Sequence, residues 1–184
     1  LFPPAAAADT LASMSVPAAF VEQSSRFLRE VHLPRLRRAV EALPEADLWW
    51  RPHAGVLAVG NVLLHLAGNV RQWIVSGLGG EPDTRERASE FLATSGRSRA
   101  ELLARLAETV DAACAVVDGL GKKDLEREHV IQGKPVTGLY AIYHVVEHFA
   151  WHTAQVVWIA KARGGPAHGV SFYDDRALDA ARNG

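Results

Sequence analysis

Three histidines recur at intervals of four residues near the end of the chain, at His144, His148 and His152. The run from Leu139 to Arg163 contains neither Pro nor Gly and is rich in apolar residues, so we predict a buried helix there. Residues four apart on a helix lie on nearly the same face, about 6 Å apart. Two adjacent histidines can therefore bind one metal ion, whereas the outer two, about 12 Å apart, cannot share it. The alternative is a row of core histidines that each have a hydrogen-bond partner.

A second polar row crosses another apolar segment, which we predict to be a helix from about Ala58 to Ser76. Asn61, His65 and Asn69 follow one another at steps of four within it. Metal sites in helical bundles are built from side chains on facing helices. His65 is therefore the candidate third ligand.

A site of three neutral imidazoles leaves at least one coordination position open, which is typical of a catalytic centre. A bound water would have its pKa lowered toward neutrality, and a bound thiol would be deprotonated. The pattern thus allows a hydrolase or a thiol-dependent transferase acting on a small molecule, with a non-catalytic metal-binding bundle as the alternative. Zinc, nickel and iron all suit such ligands. Hydrogen bonds that orient the ligand rings are expected from the neighbouring polar residues of the two rows: His144, Asn61, Asn69 and Gln155.

A competing motif overlaps the histidine row. His144-Val-Val-Glu147-His148 matches the H-x-x-E-H pattern of inverzincin proteases, in which Glu147 would be the general base. That interpretation leaves His152 unexplained. Glu147 is also expected to point about 100° away from the neighbouring ligand around the helix. We therefore favour the three-histidine site.

The remaining pattern predicts an all-α fold. A first helix is expected to run from Ser15 to Leu43, and another from Ser98 to Asp118, where Ser98 begins a capping box. A short β-hairpin is expected around Gln132, before the histidine helix. Four long helices with short connections favour a four-helix bundle.

Two adjacent tryptophans, Trp49 and Trp50, lie in the loop between the first two helices. Indoles in a loop can plug the end of a bundle or form the wall of a pocket. We predict that Trp50 lines the entrance to the metal site and that Trp49 packs in the core or at a subunit contact.

Composition limits the classes of function. The chain has 184 residues, a formal net charge of −1 and one cysteine. We therefore expect no binding to nucleic acid, no membrane association and a reducing, cytoplasmic location. One domain is expected over residues 15–184, preceded by an Ala- and Pro-rich extension over residues 1–14 that is disordered or tag-like.

The two polar rows together resemble the DinB-like superfamily. The matching stretches are Asn61-Val-Leu-Leu-His65-Leu-Ala-Gly-Asn69 and His144-x3-His148-x3-His152-Thr-Ala-Gln155, in the order that the family has them. The loop with the paired tryptophans and the hairpin also resemble the layout of that family. The resemblance covers most of the chain between Ser15 and Arg163.

This resemblance implies a four-helix bundle in up-up-down-down order and one divalent metal ion held by three histidines. Carried over, the ligands are His65, His148 and His152, while His144 aligns with a histidine that is not usually counted as a ligand. The activities known in some branches are thiol S-transfer with a low-molecular-weight thiol and a thiol-dependent isomerisation. The resemblance also implies a homodimer.

Overall fold

The first long helix, α1, has an irregular middle. In the computed structural model, which describes residues 14–164, it is α-helical over Val16–Arg26, π-helical over Phe27–His32 and α-helical over Leu33–Glu41. Pro34 lies two residues after the π-helical turn, and proline cannot donate the backbone hydrogen bond that a regular helix needs there. The predicted extension, residues 1–14, lies outside the described residues apart from its last one.

Helix α2 is α-helical over Val59–Val70 and π-helical over Arg71–Ser76, which confirms the helix predicted for this segment. Every residue of Val59–Val70 is buried, including the polar side chains Asn61, His65 and Asn69. A helix that is buried all round must find partners for such groups inside the protein.

Three helices follow α2. Helix α3 spans Arg87–Leu92, α4 spans Arg99–Asp118 and α5 spans Lys122–Glu126. The predicted capping box is present at the start of α4, where the Ser98 side chain accepts a bond from the Glu101 amide. Helix α3 was not predicted from the sequence, and it becomes important at the candidate site.

The predicted hairpin is confirmed. Strand β1 (Glu128–Ile131) pairs antiparallel with β2 (Lys134–Thr137), and the turn residues Gln132 and Gly133 have φ angles of 55° and 74°. Two positive φ angles in succession are what a two-residue hairpin turn requires. Helix α6 (Gly138–Gly164) follows at once and carries the histidine row.

Helices enclose one apolar core. Helix α2 packs against α4 and α6, and α1 packs against the same two helices. Phe149 of α6 is fully buried in this core, which fixes the face of α6 that turns inward. Within residues 14–164, no helix is both long enough and apolar enough to span a bilayer.

Candidate metal centre

Helices α2 and α6 bring three histidine rings together. His65 Nε2 lies 2.9 Å from His148 Nε2, and one ring nitrogen from each of His65, His148 and His152 lies within 4.8 Å of the others. The ring of His152 stands edge-on to both other rings, with centroid distances of 4.5 and 5.1 Å. The described chain therefore contains a group of three imidazoles that can hold one metal ion.

The other nitrogen of His65 is held by a buried carboxylate. Nδ1 of His65 lies 3.0 Å from Glu90 Oε2, on helix α3. Because a carboxylate only accepts, Nδ1 carries the proton and Nε2 keeps its lone pair, which is the tautomer that a metal ligand needs. Arg85 Nη2 also lies 3.1 Å from Nδ1, but both are then donors, so this contact is not a hydrogen bond.

The Arg85 guanidinium stabilises this carboxylate. Its Nε lies 2.7 Å from Glu90 Oε1 and its Nη2 lies 2.8 Å from Glu90 Oε2, in a two-point ion pair. The two side chains are only 4% and 8% exposed, so the pair is almost fully removed from water. Arg85 also donates to Gln72 Oε1, which accepts a further bond from Gln132 in the hairpin turn. A continuous polar chain thus connects the hairpin to the ring of His65.

His152 has its own orienting partner. Gln155 Oε1 lies 2.7 Å from His152 Nδ1 and accepts its proton, which leaves the opposite nitrogen of that ring available. Burial is the main cause that lowers the pKa values of all three rings. The pKa of His148 is lowered to about 3, first by burial and next by the neighbouring His152. The rings are therefore neutral at pH 7, which is the form that binds metal ions.

Asn61, His144 and Asn69 were also expected to orient the ligand rings, and they differ in how they contact those rings. Asn61 contacts no ring through its hydrogen bonds: its amide oxygen accepts from the Ala58 amide, and its NH2 group donates to the carbonyls of Glu90 and Ala93. This differs from the expected bond to a ligand ring, because the start of α2 takes up the amide oxygen and the segment that holds Glu90 takes up the NH2 group. Asn61 can act on His65 only through that segment.

His144 and Asn69 lie one turn further along the cluster. The ring of His144 stacks on that of His148 with a centroid distance of 5.3 Å, and its Nε2 lies 3.4 Å from Asn69 Nδ2. Trp73 packs against the other side of His144, with ring centroids 4.2 Å apart. His144 thus contacts the ligand candidate His148 without belonging to the group of three.

Both tryptophans of the first loop lie partly buried against the core. The guanidinium of Arg163 lies 4.5 Å from the centre of the Trp50 ring, and Trp49 Nε1 donates to the carbonyl of Arg97 at 3.3 Å. Neither indole lines the two cavities that flank the histidines. The entrance role of Trp50 stays a prediction.

These two cavities are lined by different histidines of the group. One, of about 240 Å³, is lined by His65 and His148 together with polar and basic side chains. The other, of about 610 Å³, is lined by His152 and mostly by apolar side chains, including the exposed Trp151 and Trp158. A small molecule could therefore approach the rings from either cavity.

Sequence reasoning missed Arg85 and Glu90. They lie in a polar stretch with many charged residues, where a carboxylate is normally exposed. One signal was present in α2: Gly68 lies one turn from His65, and a Cβ at that position would overlap Glu90 Oε1. A glycine within a buried helix indicates the close approach of another segment, but it does not say which one.

Comparison with known proteins identifies the fold and the family of the chain. A crystal structure of a DinB-like protein from Bacillus cereus ATCC 10987 superposes with a TM-score of 0.62 at 17% identity, covering 83% of this chain and 96% of that one. Residues 16–166 match the model of a family described as a protein of unknown function, DUF1572, and the chain belongs to this family within the DinB-like superfamily. No match was found among curated proteins.

Proposed function

We propose that this protein binds one divalent metal ion through His65, His148 and His152 and uses it to act on a small molecule. The observation that carries the proposal is the convergence of three neutral imidazoles from two helices, with their nitrogens within 4.8 Å. Metal–nitrogen bonds of about 2.0–2.1 Å around a tetrahedral ion place the nitrogens roughly 3.3 Å apart, which lies between the 2.9 Å separation of His65 and His148 and the 4.8 Å limit of the group. The bonds from Glu90 and Gln155 orient two of the rings for this role.

The reaction we propose is either thiol S-transfer or hydrolysis, since one such metal site can support both. A divalent ion held by neutral ligands lowers the pKa of a thiol or water that binds to it. The protein does not supply the thiol itself: Cys114 is the only cysteine, it is fully buried, and burial raises its pKa. A thiol reaction at this site therefore needs a low-molecular-weight thiol as co-substrate.

The alternative is a non-catalytic metal-binding bundle in which the ion only stabilises the fold. The two cavities beside the histidines favour the catalytic proposal, because an ion that acts only as a structural staple is normally enclosed by protein ligands. The up-up-down-down bundle order, the homodimer and the cytoplasmic location stay predictions that accompany this proposal. The exposed Trp151 and Trp158 support the pairing of two copies.

Metal analysis of single-alanine variants tests the proposal. After zinc loading and gel filtration, elemental analysis should find about one ion per chain in the wild type and a near-empty site in His65→Ala, His148→Ala and His152→Ala, because two imidazoles alone hold zinc weakly. His144→Ala should retain the ion with roughly tenfold weaker affinity, as for the loss of an outer partner.

His53→Ala is the matched control, since His53 is an exposed loop residue. It should bind zinc like the wild type. Full occupancy in His65→Ala would contradict the three-histidine assignment. Loss of the ion in His144→Ala combined with its retention in His152→Ala would favour the protease-like pair instead.

A further inference from the structure

The smaller cavity beside the histidine group has an unbalanced charge. Its lining includes the side chains of Arg85, Arg87 and Lys134, together with His65 and His148, and no Asp or Glu. At about 240 Å³ it suits a small molecule or one end of a larger one. Three cations around a small concave space create a positive potential that attracts an anion.

The three cations are not equally available. Arg85 is already paired with Glu90, so its charge is largely neutralised. Arg87 and Lys134 are exposed, and over the described part of the chain neither forms an ion pair. The guanidinium of Arg87 lies 5.0 Å from the centre of the Phe91 ring, which restricts its position without neutralising it. Arg87 and Lys134 can therefore serve a ligand.

Two uncharged side chains of the cavity lining also favour a ligand that accepts hydrogen bonds. Trp73 lines the cavity, and its Nε1 is buried without a hydrogen-bond partner among the described residues. An indole nitrogen can only donate. Tyr140, which also lines the cavity, offers a hydroxyl. The Tyr140 hydroxyl can donate to a ligand oxygen, and Trp73 Nε1 is a second donor that becomes available if its ring turns toward the cavity.

From these observations we propose that the cavity binds the anionic group, a carboxylate or a phosphate, of the substrate or co-substrate, with Lys134 and Arg87 as its main contacts. The inference rests on the proposed function, since it places that anionic group beside His65 and His148. Lys134 belongs to the strand that follows the hairpin turn, so the hairpin contributes directly to substrate selection. A metal centre of three histidines does not itself require Arg87 and Lys134, so the anion site is a property separate from metal binding.

Calorimetric titration with three matched probes tests the inference: benzoate, phenyl phosphate and the uncharged benzamide. Each is titrated into zinc-loaded and into chelator-treated protein at low salt and pH 7. At least one anion should bind in both preparations, and benzamide should bind at least about tenfold more weakly. The stronger of the two anions then identifies carboxylate or phosphate as the preferred group.

Variants locate the binding site. Lys134→Gln and Arg87→Gln should each weaken anion binding about three- to tenfold, and Lys134→Arg should restore it. Lys161→Gln is the control, because Lys161 is an exposed lysine near the end of α6 and away from the lining. It should bind anions like the wild type.

Two results would overturn the inference. One is equal binding of benzamide and the anions, or no binding of either anion at millimolar concentration. The other is anion binding that requires zinc and is unchanged in Lys134→Gln and Arg87→Gln, which would show that the anion binds the metal directly. The second result would leave the three-histidine site intact, whereas failure of zinc binding in the wild type would contradict the proposed function itself.

Discussion

At the scale of single residues, the position of His65 depends on Glu90. We predict that Glu90→Gln weakens zinc binding about ten- to a hundredfold, because the neutral amide is a poorer acceptor for the Nδ1 proton. The same change leaves the buried Arg85 charge without its counter-ion and should lower the free energy of unfolding by about 3 kcal/mol. Zinc titration with a competing chelator and urea unfolding measure the two effects.

The double variant Glu90→Gln/Arg85→Met separates these two roles. Removing both charges should recover part of the lost stability, since no unpaired ion remains in the interior. Zinc affinity should stay low, because His65 still lacks its carboxylate. If zinc affinity recovers together with stability, Glu90 supports the fold and does not orient the ring.

Residue type and spacing predicted a histidine row facing His65, and the resemblance to the DinB-like superfamily then selected His148 and His152 from that row, which are the rings that lie near His65 in the structure. The ion pair of Arg85 and Glu90 could not be predicted in this way. A carboxylate in a polar stretch is normally exposed, whereas Glu90 is buried with Arg85, five residues earlier, folded back onto it and His65 on its other oxygen. That contact depends on tertiary structure and has no periodic pattern.

At the scale of elements, Gly68 allows α3 to lie against α2. We predict that Gly68→Ala displaces Glu90 and weakens zinc binding about tenfold, because the added Cβ would overlap Glu90 Oε1 and lie 2.9 Å from Arg85 Nε. Alanine stabilises an isolated helix by about 1 kcal/mol relative to glycine, so a loss of stability here would come from the clash. Chelator competition measures the affinity for zinc, and thermal unfolding measures the stability.

Gly60→Ala is the matched control on the same helix. Its Cβ would lie 2.8 Å from the ring of Trp49 and would meet neither Glu90 nor Arg85. This variant should lose stability and keep its affinity for zinc. Equal effects on zinc affinity in both variants would show that any disturbance of α2 weakens the site.

The long helices and the hairpin were predictable because each carries a local signal. Ser98 and Glu101 cap α4, Gln132 and Gly133 form the turn, and α2 and α6 are long apolar segments. Helix α3 has only six residues, and its sequence contains no comparable signal. Its position is determined by bonds from Asn61 to the carbonyls of Glu90 and Ala93, which join it to α2.

At the scale of the whole molecule, α1 and α6 are joined by a stack of aromatic rings. The ring of His32, in the π-helical turn of α1, lies between Phe27 and Phe149, with centroid distances of 5.6 and 6.2 Å. Burial, with a smaller effect from Arg35, lowers the pKa of His32 from 6.5 to about 4. Between pH 6.5 and about pH 4, the unfolded chain therefore binds a proton at His32 that the folded protein does not bind.

This difference makes stability depend on pH. Since the unfolded state binds more protons, the free energy of unfolding falls as the pH falls from 6.5 to 4, by about 3 kcal/mol from His32 alone. We predict that His32→Phe, which keeps a stacked ring and removes the titrating group, reduces the loss of stability over this range by about that amount.

Urea unfolding of chelator-treated protein at pH 7, 5.5 and 4.5 measures this loss of stability, with His53→Ala as the exposed control. His148 contributes a loss of the same sign in both proteins, so the comparison isolates His32. An unchanged pH dependence in His32→Phe would show that the His32 ring is protonated without cost in the folded protein, and the stack between α1 and α6 would then not depend on its neutral form.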